Sequence, residues 1–119
     1  MEVFLQSEIK EREQGTVLVL SGHLTRATCR KMSFLFKELL TEQEYIALDL
    51  SGLLYLDAKG LELISNLLGK LKKKHIDLYA FGMNNEIHDI LSVVDSTRGI
   101  KLVENDKVLR RSVKKAYSN

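Results

Sequence analysis

Short apolar runs alternate along this chain with longer stretches in which apolar residues return every third or fourth position. Val3 to Ile9 alternates apolar and polar positions, with one slip, and reads as a half-buried strand. "TVLVL", Thr16 to Leu20, is β-branched and nearly all apolar, which predicts a strand nearer the centre of a sheet. Gly15 is the turn signal between the two. Cys29, Met32, Leu35, Phe36 and Leu39 then recur at helical spacing, so a helix is expected from about Thr25 to Leu40, with Thr25 as its N-cap. Cys29 lies on this stripe and is expected to be a small core hydrophobe. Phe34 lies off it and is expected to pack against a sheet edge or a terminus, the alternative being an exposed anchor for a partner.

Ile46 to Leu50 is short and apolar on both faces, a buried third strand that pauses at Ser51-Gly52. A helix follows from Ala58 to about Lys73, with Leu61, Ile64, Leu67, Leu68 and Leu71 as its core stripe. Ile76 to Phe81 is the fourth strand. Strand, helix and strand in that order predict a right-handed parallel crossover. A shorter helix after Asn84-Asn85 carries Ile87, Ile90, Leu91 and Val94 on one face. Ile100 to Glu104 is a short fifth strand, and Asp106 is expected to cap a last helix carrying Val108, Leu109, Val113, Ala116 and Tyr117. The order is β-β-α-β-α-β-α-β-α. It predicts an α/β fold with a mixed, mostly parallel sheet of four to five strands and about four helices.

Composition narrows this reading in a few places. The 119 residues suit one compact domain over 1–119 with a single core. No apolar run approaches the roughly 18 residues that cross a bilayer, so no membrane insertion is expected. The start "MEVFLQSEIKERE" lacks the apolar core of a signal peptide, and the lone Cys29 cannot form an internal disulfide, so the expected compartment is the cytoplasm. The net charge of +2 is too mild to imply nucleic acid. "GKLKKKH" (69–75) and "RRSVKK" (110–115) could suit nucleic acid or anionic lipid. The expectation is instead solvated lysines that complement helix dipoles, with no nucleic-acid partner.

Candidate chemistry is sparse. The chain has no G-x-S-x-G, no Walker-type G-x-x-x-x-G-K-[ST] and no G-x-G-x-x-G. His23, His75 and His88 are scattered, with no metal-ligand spacing among them. Asp49 and Asp57 have no acid/base partner within their own motifs. No enzyme, cofactor or metal site is expected. What remains is the turn Asp57-Ala58-Lys59-Gly60 between the third strand and the long helix. Asp57 can accept from the unpaired N–H groups of the first helical turn. Gly60, and further along Gly69, have no side chain and let the backbone approach a neighbour.

The run "LDLSGLLYLDAKGLELI", then "DLYAFGMNNEIHDIL", then "IKLVENDKVLRRSV", resembles the STAS domains, and within them the bacterial anti-sigma factor antagonists. The resemblance spans about Val17 to Val113. Its most specific part is the D-x-x-G turn after "hydrophobic-D-L-S", and "SGHLTRATCRKM" is a second, weaker match. It implies a STAS-like single domain that works as a binding switch. In that family the residue after the turn aspartate is usually Ser or Thr. A kinase that is also the anti-sigma factor phosphorylates it and binds only the unmodified form. Here that position is Ala58, which has no hydroxyl. Lys59 stands where the family tends to carry a small residue, Thr25 replaces an acidic one, and "DSTRG" (95–99) differs from the usual link.

The expectation is therefore a protein-binding regulator that acts independently of phosphorylation at this turn. Its partner-binding residues are His23, Thr25, Asp57, Ala58, Lys59, Gly60 and Leu61, with Ala58 the phosphosite equivalent. The implied partner is an anti-sigma factor/serine kinase. The alternative is a STAS subunit of a larger assembly, such as a stress-sensing scaffold or a lipid-transport ABC complex. The sequence leaves the oligomeric state open.

Overall fold

The computed structural model describes residues 3–118. Five strands form one sheet in the order β1-β2-β3-β4-β5: β1 (Leu5–Glu11), β2 (Gly15–Leu24), β3 (Tyr45–Leu56), β4 (Asp77–Phe81) and β5 (Lys101–Leu102). β1 pairs antiparallel with β2, and every other neighbouring pair is parallel. The helices are α1 (Cys29–Glu38), α2 (Ala58–Lys73), α3 (Asn85–Val93) and α4 (Asp106–Tyr117), with a 3₁₀ turn at Asp95–Thr97. The mixed, mostly parallel α/β architecture expected from the periodicity is present.

The period-two pattern of the central strands divides the core between two faces. Leu18, Leu20, Ile46, Leu48, Leu50, Leu78 and Ala80 face one layer, which contains Met32 and Phe36 of α1, Ile64 to Leu71 of α2, and Ile87 and Leu91 of α3. Val17, Tyr45, Ala47, Tyr79 and Phe81 face the other way, onto Leu109 and Val113 of α4. Polar contacts add to the α4 interface. Tyr117 stacks on Tyr45 with ring centroids 5.9 Å apart and donates to the Asp77 carboxylate. Arg12 makes a two-pronged bond to Asp106 at 2.6 and 3.2 Å.

Several local expectations change. β1 starts at Leu5, with Val3 outside it, and β4 starts at Asp77 because Ile76 lies in the preceding turn. β5 shrinks to two residues. Gly15 is the first residue of β2, and the turn before it is closed by Arg12 N donating to Gly15 O at 2.9 Å. β3 does not pause at Ser51-Gly52 but continues to Leu56. Gly52 sits so close to Ser21 that a Cβ there would lie 2.5 Å from its Oγ, and two irregularities in the β2–β3 register carry the pairing onward. Gly22, at φ +104°, takes the strain of one of them.

Thr25 is not the cap of α1. Its hydroxyl accepts from Ala27 N at 3.2 Å, within a turn closed by Thr28 N donating to Thr25 O, and the helix begins only at Cys29. Asp106 is likewise not a cap. Asn105 accepts from Val108 N at 2.9 Å, and Asp106 is instead the first helical residue, turned toward Arg12. Cys29 is only half-buried, and Phe34 and Ala116 are exposed. Gly69 has no packing role, because a Cβ placed there would meet nothing within 4 Å.

Candidate functional site

β2 and β3 run side by side to Leu24 and Leu56, so their C-terminal ends deliver two connections to one end of the molecule: residues 25–28 into α1, and Asp57 into α2. Asp57 is extended (φ −99°, ψ −177°), and its carboxylate spans both connections. Oδ1 accepts from Gly60 N at 2.9 Å, capping α2, and Oδ2 accepts from Arg26 N at 3.0 Å. Asp57 N in turn donates to Leu24 O at 3.3 Å. Burial alone would raise the Asp57 carboxyl. The backbone N–H groups of Gly60, Arg26 and Lys59 and the nearby Arg26 charge outweigh it and hold the carboxyl below its ordinary range. At neutral pH it is an anion seated on the positive end of α2.

Gly60 is buried against the same connection. A Cβ there would fall 2.1 Å from Leu24 O, so only glycine permits α2 to start this close to the end of β2. Ala58, the first helical residue, is exposed, and its methyl offers no acceptor for a phosphoryl group. Lys59 is held by Glu62 at 3.3 Å, one turn on. Thr25 is buried, with its hydroxyl engaged by Ala27 N, and the Thr28 hydroxyl donates to His23 O at 2.7 Å. His23 lies opposite Tyr55 in the β2–β3 register, and its ring meets Phe4 edge-on at 5.2 Å.

The fold thus brings His23, Thr25, Asp57, Ala58, Lys59 and Gly60 to one end. Leu61 belongs there only by its backbone, since its side chain is half-buried against the core. Four neighbours are not among the sequence candidates. Arg26 closes the loop onto Asp57. Phe4 and Tyr55 flank His23, the first edge-on to its ring and the second opposite it in the strand register, and Leu54 precedes Tyr55 on β3; Phe4, Leu54 and Tyr55 are 43, 64 and 52% exposed. The run "LLYL" held a signal for the last two, because a strand continuing through it must turn some of its side chains outward. Among the described residues, no three or more His, Cys, Asp or Glu side chains are placed to hold a metal ion, and no helix is long and apolar enough to cross a membrane.

Comparison with known proteins agrees with this fold. Residues 7–104 match the family profile described as "Mlab, STAS domain". An anti-sigma factor antagonist from Mycobacterium paratuberculosis superposes with a TM-score of 0.70 at 18% identity, over 91% of this chain and 93% of that one. An anti-sigma-factor antagonist (STAS) domain protein from Planctomyces limnophilus gives 0.76 at 12% identity, over 89% and 95%. The SulP transporter STAS domain from Vibrio cholerae gives 0.62 at 13% identity, over 85% and 82%. No curated protein sequence matches the chain.

Proposed function

The chain belongs to the STAS domain family, and from that premise we propose a non-enzymatic regulator of the anti-sigma factor antagonist type. It docks a protein partner through the end formed by the Asp57–Gly60 turn, the start of α2 and residues 22–25 at the end of β2, and it does so independently of phosphorylation at the turn. The observation that carries this reading is Ala58: exposed, first in α2, and fixed beside a bonded aspartate, yet without a hydroxyl. His23, Thr25, Asp57, Lys59, Gly60 and Leu61 make or support the docking surface. Phe4, Leu54 and Tyr55 add the apolar area that the polar turn lacks. The preferred partner is an anti-sigma factor with serine kinase activity, and the setting is a bacterial cytoplasm.

A negative group at position 58 lies at the positive end of α2, which the helix tolerates, so it acts on the partner and leaves the fold in place. The test is affinity purification from the native host with wild type beside Ala58→Asp, partners identified by mass spectrometry, and titration of the recovered partner. Capture of an ATPase-type kinase by the wild type, weakened in Ala58→Asp at unchanged thermal stability, supports the reading. Release of the wild type on adding ATP, with phosphate on Thr25 or Ser51, overturns its phosphorylation-independence. The resemblance to a transporter STAS domain favours a second reading, a subunit held permanently by a scaffold or transporter. Capture of such a subunit, indifferent to Ala58→Asp, decides for it.

A further inference from the structure

Two basic stretches of this protein, on and beside α1 and α2, contain no acid, and α4 is also basic, with Lys107, Arg110, Arg111, Lys114 and Lys115 against Asp106. From Arg26 to Lys37 the sequence carries Arg26, Arg30, Lys31 and Lys37 with no acid, and from Lys70 to Lys74 it carries four lysines with no acid. These eight cations stand against a whole-chain net charge of +2, so the rest of the molecule is net negative. None of the eight forms a salt bridge among the described residues. Arg12, Lys59, Arg98, Lys101 and Arg110 do, whereas Lys107, Arg111, Lys114 and Lys115 of α4 do not.

α1 and α2 lie side by side, and Ser33, Lys37 and Leu40 face Leu63, Asn66 and Lys70 across a shallow groove of about 50 Å³. Arg30, Phe34 and Lys37 lie on the side of α1 opposite the buried Met32, and Lys73 lies on the side of α2 opposite the buried Ile64. Phe34 is 67% exposed, between Arg30 and Lys37 at helical spacing. The dipole accounts for lysines at the C-terminus of α2. It does not account for Arg30 in the first turn of α1, where a cation is disfavoured, or for an uncovered phenylalanine between two cations.

We propose that the outward face of the α1–α2 pair rests on an anionic phospholipid surface, with Arg30, Lys37, Lys70 and Lys73 over the headgroups and Phe34 entering the interfacial region. The occupant follows from the chemistry of the face. Its cations are unpaired and carried on long stems, which suits a fluid sheet of negative charge. An aromatic ring gains from the headgroup–acyl boundary, where aromatic side chains concentrate. The contact is peripheral, since the opposite sides of both helices are committed to the core.

The test uses the full chain in sedimentation with vesicles of phosphatidylglycerol and phosphatidylcholine, beside vesicles of phosphatidylcholine alone. Binding is expected only to the anionic vesicles, and it should fall steeply as salt rises from about 0.05 to about 0.5 M. Each lost lysine is expected to weaken binding about fivefold, so Lys37→Gln with Lys70→Gln weakens it about 25-fold. Phe34→Ser, at a position the core does not use, weakens it while thermal stability is retained. Lys114→Gln with Lys115→Gln removes the same charge from α4 and leaves binding unchanged, which separates this face from net charge. The proposal is overturned by no binding at low salt, by equal binding to both vesicle types, or by equal losses in the α4 and groove variants. Displacement of the vesicles by duplex DNA at lower concentration than the lipid also overturns it, in favour of nucleic acid.

Discussion

Replacing Asp57 with alanine tests whether one carboxylate holds the two connections of the site together. Two bonds are lost, from Gly60 N at 2.9 Å and from Arg26 N at 3.0 Å. The loss of an N-cap costs about 1 kcal/mol. A second bond to a charged acceptor adds about 1.5 kcal/mol, reduced here because the carboxylate is only half-buried and water replaces part of it. Together the expected cost is roughly 2 kcal/mol. With a slope of about 1.5 kcal/mol/M, the urea midpoint falls by roughly 1.3 M. Asp57→Asn keeps a neutral acceptor, loses only the charge at the helix end, and costs about 0.5 kcal/mol.

The pH dependence has a definite sign. The Asp57 carboxyl is held below its ordinary range in the fold, so its contribution is fully present above the unfolded value of about 4. That contribution is lost as pH falls through the folded value, so the gap between wild type and Asp57→Ala closes in acid. A loss below about 0.5 kcal/mol at neutral pH, or a gap that persists after the carboxyl is protonated, refutes the reasoning.

Two glycines of α2 give opposite results in thermal unfolding. Gly60→Ala forces a methyl to 2.1 Å from Leu24 O and is expected to cost more than about 2 kcal/mol, whereas Gly69→Ala meets nothing and gains about 0.5–1 kcal/mol of helix propensity. Tyr117→Phe removes the bond to Asp77 and loosens α4, at about 1–2 kcal/mol in urea titration. Burial, then the bond to Asp77 and the contact with Tyr79, push the Tyr117 phenol well above its ordinary value, so its stabilising protonated form is fully present below about pH 10. Stability therefore declines as pH rises beyond that point in the wild type, and less so in Tyr117→Phe. Thr97→Val strips the buried hydroxyl that donates to Leu91 O at 2.9 Å, leaving a carbonyl of α3 unpaired. It costs about 1–2 kcal/mol, read as faster amide exchange at the C-terminus of α3.

All nine principal elements were legible along the chain because each leaves a local trace. An apolar stripe at a spacing of three or four marks a helix, and a β-branched run marks a strand. Asp57 as the cap of α2 was legible for the same reason, since its partner Gly60 is three residues away. Family membership was carried by the order of elements and the D-x-x-G turn, which depend on sequence alone. Where a local signal had two readings, the contacts decided. Ser51-Gly52 looked like punctuation, yet β3 runs through it because β2 continues alongside. Thr25 and Asp106 looked like caps, but nearby groups had already claimed their side chains.

The tertiary structure alone decided which residues share a surface. Arg26 and Asp57 meet across 31 positions, Phe4 and His23 across 19, and no periodicity records either pair. The exposure of Phe34, the open space around Gly69 and the meeting of Lys37 and Lys70 at one groove belong to the same class. The physical reason is one of range. Backbone propensity and amphipathicity act over a turn or a strand, so a single chain segment displays them. Burial and surface composition depend on what the rest of the chain places opposite, and here a parallel sheet with crossover helices makes that choice.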